Sequence, residues 1–245
     1  MGKTPAGFSI FGLVVYLKGL RDGLPIGIGY FAVSFSFGIA GSKFLSWIWV
    51  TLISATNITS AGQFAGLQIM NDAAGTLIEM AIATFFINLR YSLMAISLSQ
   101  KVKPSFGTVK RLLLAMGITD EIYAVSMSRK GRIRPLYFLG LCTLPYIGWT
   151  GGTMTGAICG EILPAFVTNA LGVALYGMFI AIFVPPMKEH RPTLIAVLIA
   201  VALSFAFKYA PVLNKVTFGF AIIICSVVAS LIAAYFFPVK VEDGE

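Results

Sequence analysis

Charged side chains are scarce in this sequence of 245 residues. They make up 11% of it, whereas a soluble domain carries roughly a quarter, and 58% of the residues are apolar. A chain with 20 Phe residues and a mean hydropathy of +0.88 cannot expose so much apolar surface to water. The composition therefore excludes a soluble enzyme and predicts a multi-pass membrane protein.

Side chains suited to covalent or metal chemistry are equally few. The single histidine, His190, lies in a charged loop, where we expect it to be solvated. The three cysteines stand in apolar stretches without a Cys-x-x-Cys pair: Cys142, Cys159 and Cys225. The sequence also lacks a Walker loop, a Gly-x-Ser-x-Gly motif and a paired catalytic Ser and His. We therefore expect no enzyme activity, no cofactor, no bound metal and no ATP-driven step within the chain.

Apolar stretches long enough for membrane helices recur along the sequence. A helix needs about 20 such residues to cross a bilayer, and Gly, Pro or charged residues separate about seven candidates. The clearest candidates lie at about 45–70, 73–100, 135–158, 166–186, 193–209 and 216–237. The stretch 24–42 is rich in Gly and hydroxyl side chains, which leaves open whether it is broken. The predicted fold is all-α, a polytopic transmembrane helical bundle that forms one domain over residues 1–245.

Basic residues are concentrated between two of these spans. Eight of the 18 Lys and Arg residues fall between positions 101 and 134: Lys101, Lys103, Lys110, Arg111, Arg129, Lys130, Arg132 and Arg134. Loops rich in Lys and Arg stay in the cytoplasm, so we expect this region there and the orientation of the first 40 residues stays open. The net charge of +8 then reflects orientation in the cytoplasmic membrane and not nucleic-acid binding.

An apolar segment, residues 112–128, interrupts this basic region. It has positive charge on both sides and carries Asp120 and Glu121 in its middle. A simple crossing would place one basic cluster outside, so we predict a re-entrant or cavity-lining segment. The two adjacent carboxylates repel each other, which favours protonation of one of them and suits a proton-coupling role. The alternative is that one carboxylate simply neutralises Arg90 or Arg129, or lies in cytoplasmic water. Glu79, near an external end, is expected to be wetted.

Arg90 lies well inside its predicted span. Placing an Arg near the centre of a membrane helix costs roughly 2.5–3.5 kcal/mol, so a nearby group must compensate. Either Arg90 reaches the headgroups or an acidic neighbour, or it faces a cavity and binds an anionic group such as a carboxylate. Asn88, Ser92, Ala95 and Ser99 follow the spacing of one helical face in the same span, a polar stripe that serves either helix packing or substrate contact.

A polar run interrupts the span predicted at 45–70. As an intact helix, the run Thr56-Asn57-Ile58-Thr59-Ser60-Ala61-Gly62-Gln63 is a packing face. Unwound, it offers amides and carbonyls to a zwitterion, as in transporters with discontinuous helices. The sequence leaves both alternatives open. The candidate substrate-binding residues are Asn57, Ser60, Gln63, Asn88 and Arg90.

Glycines form a second pattern. Gly148, Gly152, Gly156 and Gly160 recur every four residues, a stripe that permits tight helix contact with this chain or with a second subunit. Leu24-Pro25 and Leu144-Pro145 each open a Gly-rich stretch, and this short match leaves an inverted repeat open.

Three stretches, taken in order, resemble the AzlC family, the large membrane subunit of branched-chain amino acid exporters. They are Ser60-Ala61-Gly62-Gln63-Phe64, Asn88-Leu89-Arg90-Tyr91 and Thr119-Asp120-Glu121. The opening Gly23-Leu24-Pro25 and the chain length also fit that family. Tyr91 stands where relatives often have His, and Gly62 stands where a second Ala often precedes the Gln.

The resemblance implies export of branched-chain or related small amino acids by a secondary transporter, with a small membrane subunit of the AzlD type. In this hypothesis Arg90 attracts the substrate carboxylate, while Asn57 and Gln63 orient the zwitterion. Asp120 or Glu121 carries a coupling proton or meets the ammonium group. The alternative is a non-transporting membrane scaffold whose Gly stripe docks a partner subunit.

Overall fold

Helices make up the architecture of the protein. The computed structural model describes residues 10–102, 107–160, 166, 173, 177, 180, 184 and 187–237. Among these residues there is no strand, and one isolated bridge joins Val102 to Ile133. The predicted all-α membrane fold is therefore confirmed. Most of the span predicted at 166–186 lies outside the described residues.

Nine α-helices and one short 3-10 helix can be delimited within the described ranges. They are α1 (Ile10–Ser42), α2 (Trp47–Thr56), α3 (Ser60–Asn71), α4 (Leu77–Lys101), α5 (Thr108–Ala115), α6 (Asp120–Ser128), α7 (Pro135–Cys159), α8 (Arg191–Tyr209), the 3-10 helix Leu213–Lys215 and α9 (Phe218–Phe236). Four of them, α1, α4, α8 and α9, are long and apolar enough to cross a membrane. The predicted spans 73–100, 135–158, 193–209 and 216–237 agree closely with α4, α7, α8 and α9.

The first helix is longer than its apolar stretch suggested. It runs unbroken for 33 residues from Ile10 and contains Pro25, so the Gly-rich stretch 24–42 is not interrupted. Pro removes one backbone donor, and neighbouring helices can satisfy the carbonyl that this frees inside a membrane.

The stretch 45–70 is two helices, so its polar run follows the unwound alternative and is not an intact packing face. Helix α2 ends at Thr56, and Asn57 is extended, with φ −144° and ψ 102°. Helix α3 starts at Ser60, which leaves residues 57–59 as a first break. The physical reason is local, because Asn and Thr side chains compete with the helix for backbone hydrogen bonds.

A second break separates α5 from α6 at residues 116–119. Thr119 is extended, and its hydroxyl accepts a hydrogen bond from the backbone N–H of Ile122 at 3.4 Å, which caps α6. With 8 and 9 residues, each of these helices is roughly 12–14 Å long, and a bilayer core is about 30 Å thick. Neither helix crosses by itself, and the re-entrant path stays a prediction.

The chain forms two compact units. The first comprises residues 1–63 and 88–172, and the second comprises residues 64–87 and 173–245. In the first unit, buried apolar residues pack the second break against α7 and the end of α4: Leu98, Ile118, Ile122, Ile133, Tyr137, Phe138 and Leu141. This cluster fixes where α6 begins. The assignment of 1–245 to one transporter domain stays a prediction.

Glycines bring α1 and α7 into backbone contact. A Cβ added at Gly148 would overlap the carbonyl of Gly27, and one added at Gly156 would overlap the carbonyl of Phe35. Because α1 occupies the stripe on α7, this stripe is not available to a partner subunit. The docking surface proposed for a scaffold is therefore contradicted.

The same contacts give the relative direction of the two helices. Gly19 lies against the backbone of Tyr137, and Gly38 lies against the backbone of Thr153, so α1 and α7 run parallel. The amino end of α1 is consequently on the same side as the basic region, where Tyr137 donates to Asp22 at 2.6 Å. The halves of an inverted repeat are related by a two-fold axis in the membrane plane, so their equivalent helices run antiparallel. Because α1 and α7 run parallel, an inverted repeat does not relate them.

Candidate functional site

The first break is held by the Gln63 side chain. Its Nε2 donates to the backbone oxygen of Asn57 at 2.6 Å and to the Ser54 hydroxyl at 3.3 Å. Ser54 in turn lies 2.7 Å from the Thr153 hydroxyl of α7. Only 4% of Gln63 is exposed, and Ser54 and Thr153 are fully buried. The predicted residues Asn57 and Gln63 are therefore in contact, with Gln63 buried and Asn57 half-buried.

A second contact ties the break to α4. The Thr59 hydroxyl donates to Asn88 Oδ1 at 2.8 Å and accepts weakly from the backbone N–H of Gly62 at 3.4 Å. A Cβ at Gly62 would lie 2.8 Å from the Thr59 methyl group, so a small residue is needed there. Ser60, another predicted residue, is the half-buried first residue of α3.

Arg90 pairs with the start of α6. Its Nη1 lies 3.0 Å from Asp120 Oδ2, and the two side chains are 44% and 32% exposed. The guanidinium also lies 5.2 Å from the centre of the Tyr91 ring. This ion pair is the compensation that an Arg in an apolar helix requires, and its partial exposure leaves both charged groups accessible.

Glu121, beside Asp120, contacts the first helix. The Tyr30 hydroxyl donates to Glu121 Oε2, and the Tyr30 ring meets the Trp149 ring edge-on with centroids 5.6 Å apart. Tyr30 and Trp149 are 9% and 2% exposed. The two acidic residues therefore have different partners. Asp120 pairs with the Arg90 guanidinium on α4, and Glu121 accepts from Tyr30, which packs against Trp149.

These contacts connect the two breaks. One route runs from Glu121 through the rings of Tyr30 and Trp149 to α7, which carries Thr153 one turn after Trp149. The other route runs from Asp120 through Arg90 to Asn88 on the same helix. The structure places the predicted residues in two clusters, one at each break, that share α4 and α7 as supports.

Five contributors were not predicted from the sequence: Tyr30, Ser54, Thr59, Trp149 and Thr153. Thr59 belongs to the polar run, but in an intact helix it would not share the face formed by Thr56, Ser60 and Gln63. The others lie in helices whose composition carries no local signal for a site, and Tyr30 is 91 residues from its partner Glu121.

Some buried polar atoms in this region lack a partner. Among the described residues these atoms are Gln63 Oε1, Ser126 Oγ, Trp149 Nε1 and Thr150 Oγ1. An unpaired buried polar atom costs about 1–3 kcal/mol, and folded proteins seldom retain one without a reason. Gln63 and Trp149 belong to the two clusters just described.

A cavity of about 350 Å³ opens beside both breaks. Thr56 and Ile58 line it near the first break, and Met116 and Gly117 line it at the second. Its walls are mostly apolar and contain none of the seven predicted site residues. The cavity is therefore suited to an aliphatic group, with the polar clusters outside its lining.

Glu79 is not wetted, so that prediction is wrong. Only 1% of it is exposed, and its Oε1 accepts from the Thr217 hydroxyl at 2.5 Å and from the backbone N–H of Gly219 at 2.8 Å. Both donors belong to the start of α9, where a carboxylate is stabilised by free N–H groups and the helix dipole. Glu79 is therefore a buried cap in the second unit. His190, in contrast, is exposed as expected.

The described residues contain no group of three or more His, Cys, Asp or Glu arranged to hold a metal ion. Apart from the Arg90–Asp120 ion pair and the Glu121 carboxylate, the site is built of hydroxyl, amide and aromatic groups. Its chemistry is that of reversible hydrogen bonding and charge pairing.

Long apolar helices, two interrupted helices and buried polar groups define a multi-pass membrane protein with a transporter-like interior. Residues 25–163 match the AzlC protein family, and the chain belongs to this family. The three motifs at 60–64, 88–91 and 119–121 lie within the matched residues.

Two curated proteins are similar to most of the chain. An uncharacterized membrane protein of Archaeoglobus fulgidus is 30% identical over 194 residues, which cover 78% of this chain and 84% of that protein. The inner membrane protein YgaZ of Escherichia coli strain K12 is 26% identical over 189 residues, which cover 74% of this chain and 76% of YgaZ. No solved structure gives a significant match.

Proposed function

We propose that the protein is a secondary transporter that exports branched-chain or related small amino acids across the cytoplasmic membrane, coupled to protons. The observation that carries this proposal is the pairing of Arg90 with Asp120 beside two helix breaks, at charged groups that remain partly exposed. Discontinuous helices in membranes are tolerated where protein or a water-filled cavity satisfies their backbone, and transporters place binding sites there.

In this proposal the substrate carboxylate binds Arg90. A guanidinium offers paired donors to a carboxylate, and Asp120 already occupies such a position at 3.0 Å. A substrate carboxylate therefore competes with Asp120 for Arg90. The amide groups of Asn57, Gln63 and Asn88, with Ser60 at the start of α3, orient the zwitterion at the first break.

The acidic pair supplies the coupling. A carboxylate of Asp120 or Glu121 can hold either a proton or the substrate ammonium group, but not both at once. Because a proton and the ammonium group exclude each other at this carboxylate, the protein exchanges protons for amino acid across the membrane. An inward proton gradient therefore drives the amino acid outward. The Tyr30 hydroxyl keeps Glu121 oriented while this exchange takes place.

The aliphatic side chain needs an apolar space beside these groups. The cavity of about 350 Å³ meets this need, because it adjoins both breaks and its lining is mostly apolar. We assign a small AzlD-type subunit as the partner on the family relationship.

Efflux from proteoliposomes tests the proposal. Vesicles that contain the protein with its small subunit are loaded with labelled leucine or valine, and efflux is followed with and without an imposed pH gradient. We expect gradient-dependent efflux in the wild type and its loss in Arg90→Ala and Glu121→Gln. Arg132→Ala, which removes an exposed charge outside both clusters, is the matched control.

Three results would contradict the proposal. Wild-type vesicles that release neither amino acid would remove the transport function. Equal efflux with and without the gradient would remove proton coupling. Wild-type rates in both Arg90→Ala and Glu121→Gln would remove the site while leaving the function in place.

A further inference from the structure

Trp149 has a polar atom that its contacts with the described residues leave unused. Only 2% of the residue is exposed, and its indole Nε1 has no hydrogen-bond partner in the described part of the chain. The ring already packs edge-on against Tyr30, and a Phe at this position would keep that contact. A buried indole N–H without an acceptor costs free energy, so the N–H needs an explanation beyond packing.

A complementary unpaired atom is linked to α7, the helix of Trp149, by two hydrogen bonds. Gln63 is 4% exposed, and no described residue donates to its Oε1 although its Nε2 makes two hydrogen bonds. Its partner Ser54 contacts Thr153, which lies four residues after Trp149 and therefore on the same face of α7. A free donor and a free acceptor thus belong to one buried polar cluster.

Donor and acceptor together match the two ends of an amino acid. We infer that Trp149 is a further substrate-binding residue, whose indole N–H donates to the substrate carboxylate while Gln63 Oε1 accepts from the ammonium group. This inference rests on the proposed function and deepens it, because it adds a neutral donor that a family motif does not contain. The backbone oxygen of Asn57 stays committed to Gln63 Nε2 and holds the acceptor in place.

Intrinsic fluorescence tests the inference without relying on transport. The protein has three tryptophans, and Trp47 and Trp49 are 46% and 62% exposed on α2. The variant with Trp47→Phe and Trp49→Phe keeps Trp149 as its single tryptophan. Titration of this variant with leucine should shift its emission in a saturable way. The matched control, Trp149→Phe, keeps the two exposed tryptophans and should show no leucine-dependent shift.

Transport kinetics supply the second measurement. Trp149→Phe keeps the ring and loses one hydrogen bond to a charged group, which should raise KM for efflux about tenfold to a hundredfold. The maximal rate should change little, since the proton-carrying groups are intact. A variant that instead lost maximal rate at unchanged KM would contradict a binding role.

Failure of this inference is distinct from failure of the proposed function. In one outcome, wild-type vesicles transport leucine although leucine does not shift Trp149 emission and Trp149→Phe has an unchanged KM. That result would show that Trp149 does not bind the substrate and that water satisfies its N–H. If no amino acid is transported, the proposed function fails, and the leucine titration still decides whether Trp149 takes part in binding.

Discussion

Carboxylates occur at two helix starts in this protein, with opposite surroundings. Glu79 is 1% exposed and accepts from two donors at the beginning of α9. Asp120 begins α6 with its side chain 32% exposed, and its partner Arg90 is 44% exposed. The first carboxylate is completely enclosed by protein, whereas the second shares a single cation and remains accessible.

This difference separates a structural acid from a functional one. An enclosed carboxylate with fixed donors stabilises one arrangement of helices, and its removal leaves those donors unpaired. The pair of Asp120 with Arg90 is only partly enclosed, so its removal leaves fewer buried groups unpaired. Exposure and the number of fixed donors therefore predict which substitution damages folding and which damages transport.

The largest effect on stability is expected from Glu79→Ala. The Thr217 hydroxyl and the Gly219 N–H would lose their acceptor, at about 1–3 kcal/mol for each buried donor. We expect a much lower yield of folded protein in detergent and a lower melting temperature. Efflux per folded molecule should remain near the wild-type value. Undiminished thermal stability would show that Glu79 is not a structural cap.

Asp120→Asn should have the opposite signature. An amide cannot carry the coupling proton, so gradient-driven efflux should fall to the rate measured without a gradient. Because the amide oxygen can still accept from Arg90, the free energy of unfolding should change less than in Glu79→Ala. A melting curve and an efflux assay on the same preparation check both parts. Strong destabilisation with normal coupling would reverse the comparison.

Tyr30→Phe is expected to have a smaller effect. It removes the hydrogen bond to Glu121 and keeps the ring against Trp149. A hydrogen bond of this kind contributes about 1.5–3 kcal/mol when it is fully buried, so efflux should fall by up to roughly a hundredfold and by less where water replaces the hydroxyl. Tyr16→Phe is the control. It removes a hydrogen bond from Tyr16 of α1 to Thr143 of α7, and it should leave efflux unchanged. Equal losses in both variants would indicate a general packing defect.

The smallest effect is expected from Glu79→Gln. The amide oxygen can still accept from Thr217 and Gly219, and only the interaction of the charge with the α9 dipole is lost, about 0.3–1 kcal/mol. The melting temperature should lie between those of the wild type and Glu79→Ala. A Glu79→Gln protein as unstable as Glu79→Ala would mean that the charge, and not the acceptor, holds α9.

Much of the fold could be predicted because the bilayer imposes a simple requirement. Apolar stretches of sufficient length gave α4, α8 and α9 to within a few residues, since nothing but a helix satisfies its own backbone in lipid. Hydropathy did not predict the positions where the helical backbone is interrupted. The break at 57–59 is a competition between side-chain and helical hydrogen bonds, which hydropathy does not measure.

The candidate site could be predicted in part for a related reason. Arg90, Gln63 and Asp120 stand out because polar groups are rare in apolar stretches. Their partners could not be found in this way. Tyr30 and Trp149 have the composition of ordinary membrane helices, and Glu79 resembles an acid at a wetted helix end until α9 covers it.

The sequence by itself determined that this chain lies in a membrane as helices, which of its residues oppose that environment, and to which family it belongs. These properties depend on composition and local order, which are fixed before folding. Only the tertiary structure decided that α1 occupies the glycines of α7, that Glu79 is enclosed, and that Glu121 meets Tyr30. Such pairings join residues far apart in the chain, and they depend on backbone approaches that a one-dimensional pattern does not encode.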